Sequence, residues 1–256
     1  MLSLLPILTL LAVCSIVTAG DVAPNVGKSF PSVQGTFWNG ATFAGSCLLQ
    51  DYYKSGAPNG LEYVAVAKDV NGNAEYCGAC IEITPKTTKN TPVVAIVSSH
   101  CPDCPAGALD IPKTLFNRLQ GNADGRPGTS MFSWKVVTCP FGKFPKIINK
   151  DGSSKYSLSM KVVDSSYPVQ SVVIISGGKN LAAYKRDYNY WELHNAGVLD
   201  DKVKVIVTWT NNQSFSFSNV DPSSKQAAIS DLEKNPNGRR AGAHKRKSFQ
   251  QARGQN

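Results

Sequence analysis

The chain has 256 residues, of which 42% are hydrophobic and 18% charged, and a formal net charge of +9. The charge is unevenly spread. Residues 21–142 contain nine Lys and Arg and nine Asp and Glu, residues 143–222 contain ten and seven, and residues 223–256 contain eight and two. Because most of the net positive charge, +6 of +9, lies in the last segment, we expect no basic nucleic-acid-binding face on the folded part. An acidic polysaccharide would meet the last segment first.

Residues 1–19 form an apolar run that ends in the small-residue sequence Val17-Thr18-Ala19. This pattern is typical of a secretory signal peptide, although no Lys or Arg precedes the apolar run. A signal anchor is the alternative, and the lack of a basic flank after the run disfavours it. Later apolar runs have the length of strands, so we expect no membrane span and a secreted, extracellular protein.

Six cysteines follow the predicted signal peptide, all before residue 140: Cys47, Cys77, Cys80, Cys101, Cys104 and Cys139. An even number of cysteines in an exported chain indicates disulfide bonds. The two Cys-x-x-Cys pairs could also form a zinc site, but export and the two additional cysteines disfavour it. We expect no metal and no cofactor, and the spacing alone leaves the disulfide pairing open.

The first domain is predicted over residues 20–142. Residues 21–32 read as a Pro-, Gly- and Ser-containing leader with little periodicity. Short β-branched and aromatic runs then predict strands, and one helical segment is predicted between them; the strands are placed at residues 34–40, 61–67, 81–84, 93–98 and 131–138, and the helix at 112–119. Short strands cross-linked by cysteines predict a compact β-barrel.

Asp110 lies between the strand at residues 93–98 and the predicted helix, after a turn that contains two prolines and a glycine. An acid at this position could cap the free N–H groups at the start of the helix. It could instead bind or protonate a substrate oxygen, because a carboxyl group held in such a corner is suited to that role. The local sequence leaves both interpretations open.

The second domain is predicted over residues 146–222, after a short joint at residues 141–145. Alternating apolar and polar residues at 156–162, 169–176 and 203–209 indicate a small antiparallel sandwich, a class common among binding modules. Residues 223–256 lack apolar periodicity, which predicts a disordered basic tail. The tail would be merely solvated or, alternatively, would adhere to anionic polysaccharide.

Within this domain, alternation places Trp191 and Leu193 on one face and Tyr188, Tyr190 and Glu192 on the other. Two tyrosines beside an acid on a solvated face would form a flat platform for stacking sugar rings. Ordinary cross-strand packing is the alternative. The sequon Asn212-Gln213-Ser214 lies at a predicted hairpin tip and predicts N-glycosylation at Asn212.

Several motifs together resemble the expansin family, in particular the expansin-like proteins of microbes and amoebae. The resemblance rests on motifs in the family's order, which include Gly35-Thr36-Phe37-Trp38, Cys101-Pro102-Asp103-Cys104, Gly107-Ala108-Leu109-Asp110, the 132–140 segment FSWKVVTCP, Asp151-Gly152-Ser153-Ser154-Lys155-Tyr156, Ser166-Tyr167-Pro168-Val169 and Asp187-Tyr188-Asn189. It extends from about Gly35 to Asp221.

The resemblance implies an all-β protein: a double-psi β-barrel related to family-45 glycoside hydrolases, followed by an immunoglobulin-like β-sandwich that binds carbohydrate. It implies binding of cellulose or related glucans and loosening of polysaccharide networks without hydrolysis, by a protein that we expect to be monomeric. It also implies the disulfide pairs Cys47–Cys77, Cys80–Cys139 and Cys101–Cys104.

By position in the family's motifs, Thr36 matches a groove threonine and Asp110 matches the acid that corresponds to the hydrolase proton donor. Tyr156 and Tyr188 match two of three platform aromatics. To these substrate-binding residues we add Trp38 as a stacking residue and Tyr190 as a third ring. Tyr156 shares parity with Leu158 and Met160, so it could instead be a core residue.

The chain also departs from the family pattern. Ser99 stands where the family often has an aspartate, Cys101 where bacterial members have a tyrosine, and Ser157 at the third platform position. Inverting hydrolysis needs a second carboxylate, and the amide of Asn39 cannot serve as one. Asp103 is the nearby substitute, but it lies in the two-residue loop between Cys101 and Cys104, which is poorly suited to aim it. We therefore predict no firm catalytic residue and a non-hydrolytic protein. An endoglucanase, or a matrix protein with an inactive groove, is the alternative.

Overall fold

The structure is a computed structural model that describes residues 23–39, 42–121, 128–142 and 144–234. The predicted signal peptide and the part of the predicted tail after residue 234 lie outside these ranges. Within them, no helix combines the length and the apolar character needed to cross a membrane.

The first domain is built on six strands and two short α-helices. In chain order these are β1 (Ser29–Trp38), β2 (Glu62–Ala67), α1 (Lys68–Asn71), β3 (Cys80–Pro85), β4 (Val93–Cys101), β5 (Leu109–Pro112), α2 (Lys113–Leu119) and β6 (Ser130–Val137), with 3-10 turns at Leu49–Asp51 and Pro58–Gly60. The strands close into a barrel in the order β1-β5-β2-β4-β3-β6. The predicted barrel is confirmed, and the short strand β5 is an addition to the prediction.

Apolar side chains at alternate positions along the strands fill the interior of the barrel. Val64 and Val66 of β2 and Leu109 and Ile111 of β5 are fully buried in one apolar cluster. Helix α2 covers this cluster with its apolar face, which includes Phe116. The predicted leader is partly wrong: residues 29–32 belong to β1, where Phe30 stacks on Trp134 with ring centroids 4.0 Å apart.

The three disulfides implied by the resemblance are present: Cys47–Cys77, Cys80–Cys139 and Cys101–Cys104. The first ties a loop before β2 to the segment that enters β3, the second ties β3 to the end of β6, and the third closes the turn after β4. Because all six cysteines are paired, the alternative of a zinc site has no thiolate ligands.

The second domain packs two antiparallel sheets around one apolar core. Its elements are β7 (Lys146–Asn149), β8 (Ser159–Val163), β9 (Val169–Ser176), β10 (Lys179–Ala182), β11 (Tyr184–Lys185), β12 (Trp191–Glu192), β13 (Val203–Trp209), β14 (Ser214–Val220), β15 (Ala228–Ile229) and α3 (Asp231–Lys234). One sheet has the order β10-β9-β13-β14 and the other β11-β12-β8-β7-β15. Met160 and Trp191 from one sheet meet Val205 and Phe217 from the other in the core.

The second domain continues past the predicted boundary at residue 222. Ala228 pairs with Ile147, and the side chain of Ser230 is fully buried. Asp231 accepts hydrogen bonds from the hydroxyls of Ser216 (2.7 Å) and Ser218 (2.8 Å) on β14. The prediction of a disordered tail from residue 223 is therefore wrong for residues 223–234, because these contacts fix the segment against the sandwich.

Charged and polar side chains join the two domains. Asp164, at the end of β8, accepts hydrogen bonds from the hydroxyls of Tyr52 (3.3 Å) and Tyr53 (3.0 Å) and lies 3.4 Å from the ammonium of Lys146. Burial is the main cause that raises the pKa of Tyr53, and the nearby Asp164 adds to it. A short joint and a buried contact of this kind fix the orientation of the barrel relative to the sandwich.

Lys161 forms a second interdomain contact. Its side chain is 1% exposed and donates to the backbone carbonyl of Leu48 and to Asp51 Oδ2, the latter at 3.1 Å. Burial lowers the pKa of Lys161, an effect that Asp51 opposes. An ammonium group in this position depends on its partners, because an unpaired buried charge is costly.

Candidate functional site

The strand register brings polar residues together on the outer face of the barrel. Thr36 of β1 pairs with Asp110 of β5, Asp110 pairs with Ala65 of β2, and Ala65 pairs with Ser99 of β4. Leu109 and Ile111 point into the barrel, so Asp110 between them points outward. These four residues form a row across the sheet, which we call the groove floor.

Asp110 is held on this floor by its neighbour. The hydroxyl of Thr36 donates to Asp110 Oδ1 at 2.6 Å, which leaves the second carboxylate oxygen available to a ligand. Pro112 is the N-cap residue of α2, and no side chain caps that end of the helix. The capping interpretation of Asp110 is therefore wrong, and the binding interpretation stays a prediction.

Two aromatic rings extend the floor along the strands. Trp38 lies two residues after Thr36 on β1, and Tyr63 lies two residues before Ala65 on β2, so both share the outer face with them. Their ring centroids are 6.1 Å apart at an interplanar angle of 59°. Tyr63 was not among the predicted site residues, although its two-residue offset from Ala65 places it on the same face of β2.

Ser99 occupies the far end of the row and makes short-range polar contacts. Its hydroxyl accepts a hydrogen bond from the backbone N–H of Ser46 (3.2 Å) and lies 3.3 Å from the Ser46 hydroxyl, which in turn lies 2.9 Å from His100 Nδ1. Cys101 is in a disulfide. The end of the row where the family often has an aspartate thus carries hydroxyl groups.

Tyr156 and Tyr188 are accessible in the second domain. The Tyr156 side chain is 71% exposed in the turn before β8, so the alternative that it is a core residue is wrong. Tyr188 is half-buried; its hydroxyl donates to Glu192 Oε1, and the ammonium of Lys150 lies 4.8 Å from its ring centroid. Ser157, at the third platform position, is exposed.

The prediction that Tyr190 adds a third accessible ring is wrong. Tyr190 is only 5% exposed, because the first domain covers its face of the sandwich. Its hydroxyl donates to Asp51 Oδ2 at 3.1 Å, and the ammonium of Lys161 lies 4.4 Å from its ring centroid. Burial raises the pKa of Tyr190, with Asp51 adding to the effect. Tyr190 therefore belongs to the interdomain contact.

Asn212 lies at the tip of the hairpin between β13 and β14, where it is exposed and adopts a positive φ of 63°. Its side chain is accessible, so N-glycosylation there stays a prediction. No cluster of three or more His, Cys, Asp or Glu side chains suited to a metal ion occurs within residues 23–39, 42–121, 128–142 and 144–234.

Fold and site together define a two-domain, mostly β protein: a closed barrel with one carboxylate on its outer floor, followed by two packed sheets with an exposed tyrosine. No family model matches the chain. The chain is 28% identical over 173 residues to expansin YoaJ of Bacillus subtilis, covering 66% of this chain and 70% of that protein. It is 26% identical over 154 residues to expansin-like protein 1 of Dictyostelium discoideum, covering 58% of this chain and 53% of that protein.

A solved structure has the same fold. The expansin of Clavibacter michiganensis superposes with a TM-score of 0.65 at 23% sequence identity, covering 78% of this chain and 95% of that one. A mutant of the same expansin, solved in complex with cellohexaose, superposes equally well. The chain is thus similar in sequence to expansins and expansin-like proteins, and it shares the fold of a solved expansin.

Proposed function

We propose that this protein is secreted, binds cellulose or a related β-glucan, and loosens polysaccharide networks without cutting the chains. The curated relatives are named as expansins or expansin-like proteins, and the superposed structure includes a complex with cellohexaose. The proposal also includes the finer fold assignment, a double-psi barrel with an immunoglobulin-like sandwich. Two parallel strand pairs, β1–β5 and β2–β4, within a closed barrel support the first part.

The single observation that carries the proposal is the composition of the groove floor. Asp110 is its one carboxylate, and the paired positions on either side are Thr36, Ala65 and Ser99. Inverting glycoside hydrolysis requires a second carboxylate about 6.5–9.5 Å from the acid, to activate water on the opposite face of the sugar. Hydroxyl and methyl groups cannot take up that proton. The floor is therefore suited to binding a glucan and lacks half of the hydrolytic machinery.

In this proposal, Asp110 and Thr36 hydrogen-bond the hydroxyl groups of a glucan in the groove. The rings of Trp38 and Tyr63 offer apolar surface to the flat faces of the sugars. Tyr156 and Tyr188 of the second domain bind another stretch of the polymer. Each ring contact contributes on the order of 1 kcal/mol, so useful affinity requires several contacts in one complex.

The test compares binding with cleavage. We expect the purified protein to co-sediment with crystalline cellulose and to release no reducing sugar from it or from soluble glucan. Asp110→Asn should weaken binding, because it replaces an acceptor oxygen, whereas Asp103→Asn in the exposed Cys101–Cys104 turn should leave it unchanged. Release of reducing sugar that Asp110→Asn abolishes would establish an endoglucanase instead.

The role of the second domain has its own matched pair of variants. Tyr156→Ala should reduce the bound fraction on cellulose, because it removes an exposed ring. Tyr156→Phe keeps the ring and loses only the hydroxyl, so it should bind like the unaltered protein. Equal binding by Tyr156→Ala and Tyr156→Phe would contradict the proposed stacking role.

A further inference from the structure

A cleft opens beside Tyr156, between the turn at residues 154–158 and the loop at residues 193–199. Its volume is about 320 Å³, at the lower end of the range of about 300–1,000 Å³ typical of small-ligand sites. Leu158, Leu193 and Leu199 contribute apolar surface to it, and Ser157 and Asn195 contribute a hydroxyl and a carboxamide. Polar groups make up the larger part of the accessible lining, which suits a small, hydroxyl-rich ligand.

The walls of the cleft are fixed by the sandwich. Leu158 and Leu199 are only 3% and 5% exposed and belong to the core of the domain. The backbone N–H of Leu199 donates to the carbonyl oxygen of Lys155 at 2.9 Å, which ties the 193–199 loop to the opposite turn. The cleft is therefore formed before a ligand arrives, so a ligand need not supply the cost of ordering it.

The charges around the cleft favour a neutral ligand. Lys155 is the one ionisable cation among its lining residues, and its ammonium is already paired with Asp201 Oδ1 at 2.9 Å. That contact raises the pKa of Lys155, so the ammonium remains charged and paired near neutral pH. An anionic ligand would have to compete with Asp201, whereas a neutral, hydroxyl-rich ligand would not.

The position of Tyr156 indicates how the ligand reaches the cleft. The Tyr156 side chain lines it and is 71% exposed, so a sugar ring stacked on Tyr156 lies next to the opening. A linear β-glucan stacked on this ring carries only hydroxyl and hydroxymethyl groups at its sides, and these are small compared with a cleft of about 320 Å³. A sugar substituent attached to the chain fills the cleft better, because it leaves the backbone sideways and is of suitable size and polarity.

We propose that this cleft, which we call the branch cleft, binds a neutral sugar branch of a substituted β-glucan whose backbone stacks on Tyr156. The inference rests on the proposed glucan binding and adds a preference for substituted chains. One further hydrogen bond of about 1 kcal/mol between the branch and the cleft corresponds to about a fivefold gain in affinity for a branched over an unbranched chain.

The test uses two oligosaccharides with the same β-1,4-glucan backbone, one unsubstituted and one carrying xylose branches, titrated calorimetrically against the full chain. We expect the unaltered protein to bind the branched sugar about fivefold more tightly. Ala196→Phe places a ring in the cleft and should abolish that preference, while affinity for the unbranched sugar stays unchanged. Val198→Phe adds similar bulk at a 65% exposed position in the same loop and should keep the preference.

Equal affinity of the unaltered protein for the two sugars would overturn the branch cleft and leave the proposed function intact. A preference that persists in Ala196→Phe, or that Val198→Phe also removes, would overturn it as well. If the unaltered protein binds neither sugar, the proposed glucan binding itself fails, and the branch cleft fails with it.

Discussion

The buried ion pair between the two domains makes an asymmetric prediction about stability. The Lys161 side chain is 1% exposed, whereas the Asp51 side chain is 46% exposed. Removing Asp51 leaves a buried ammonium that keeps only the hydrogen bond to the carbonyl of Leu48 and the contact with the Tyr190 ring. Removing Lys161 leaves a carboxylate that water can solvate. We therefore expect Asp51→Ala to be much more damaging than Lys161→Met.

The magnitudes follow from the contacts. Breaking a buried pair on one side costs about 3–5 kcal/mol. We expect the lower end of this range for Asp51→Ala, because the carboxylate itself is partly solvated. This variant also removes the acceptor of the Tyr190 hydroxyl, worth about 1 kcal/mol. Lys161→Met exchanges the ammonium for an apolar group and should change the free energy of unfolding by no more than about 1 kcal/mol.

Equilibrium urea unfolding at pH 7, with the disulfides intact, measures these differences. In the Lys161→Met background, Asp51→Ala should cost only about 1 kcal/mol, the share of the Tyr190 contact, so the coupling energy between the two sites is about 3 kcal/mol. A cost of Asp51→Ala that is the same in both backgrounds would refute the assignment of Lys161 as a buried charge that needs Asp51.

Three further outcomes are expected. Tyr190→Phe should lower the free energy of unfolding by about 1 kcal/mol through the lost hydrogen bond to Asp51, without changing co-sedimentation with cellulose. Weaker co-sedimentation would show that Tyr190 takes part in binding. Burial lowers the pKa of Lys185 to about 8, against an opposing effect of Glu75. Between pH 8 and about 10.5 the unfolded chain binds more protons at Lys185, so this residue adds stability as pH rises. Lys185→Met should therefore raise the free energy of unfolding more at pH 7 than at pH 9.5. An increase in urea unfolding free energy that does not depend on pH would contradict this. Gly45→Ala should destabilise the first domain in thermal unfolding, because its Cβ would lie 2.3 Å from the carbonyl oxygen of Ser98; an unchanged melting temperature would show that the loop can move aside.

The strands of the first domain were predictable because their β-branched and aromatic runs alternate in and out of one core. Strand β5 was not, because its four residues, Leu109–Pro112, are too few to show a period and follow a turn rich in proline. Its parallel pairing with β1 brings Asp110 to Thr36, a contact between residues 74 positions apart. Motif resemblance identified both residues, and only the register explains why they meet.

Alternation also assigned Tyr190 to the correct face of its segment, opposite Trp191. It could not show that the first domain covers part of that face, because periodicity reports which residues share a side and not what packs on it. For the same reason, alternation did not indicate that Lys161 is buried. The predicted boundary at residue 222 was wrong for a different reason. Residues 223–234 are mostly polar and show no apolar pattern, and side-chain hydrogen bonds to Asp231 fix this segment instead.

The central claim is that a groove floor with one carboxylate binds a glucan and leaves it uncut. Titration of the protein with cellohexaose, followed by mass spectrometry of the sugar recovered after prolonged incubation, tests both parts in one sample. We expect measurable binding and recovery of the intact hexasaccharide. Recovery of shorter sugars, or the absence of binding, would contradict it.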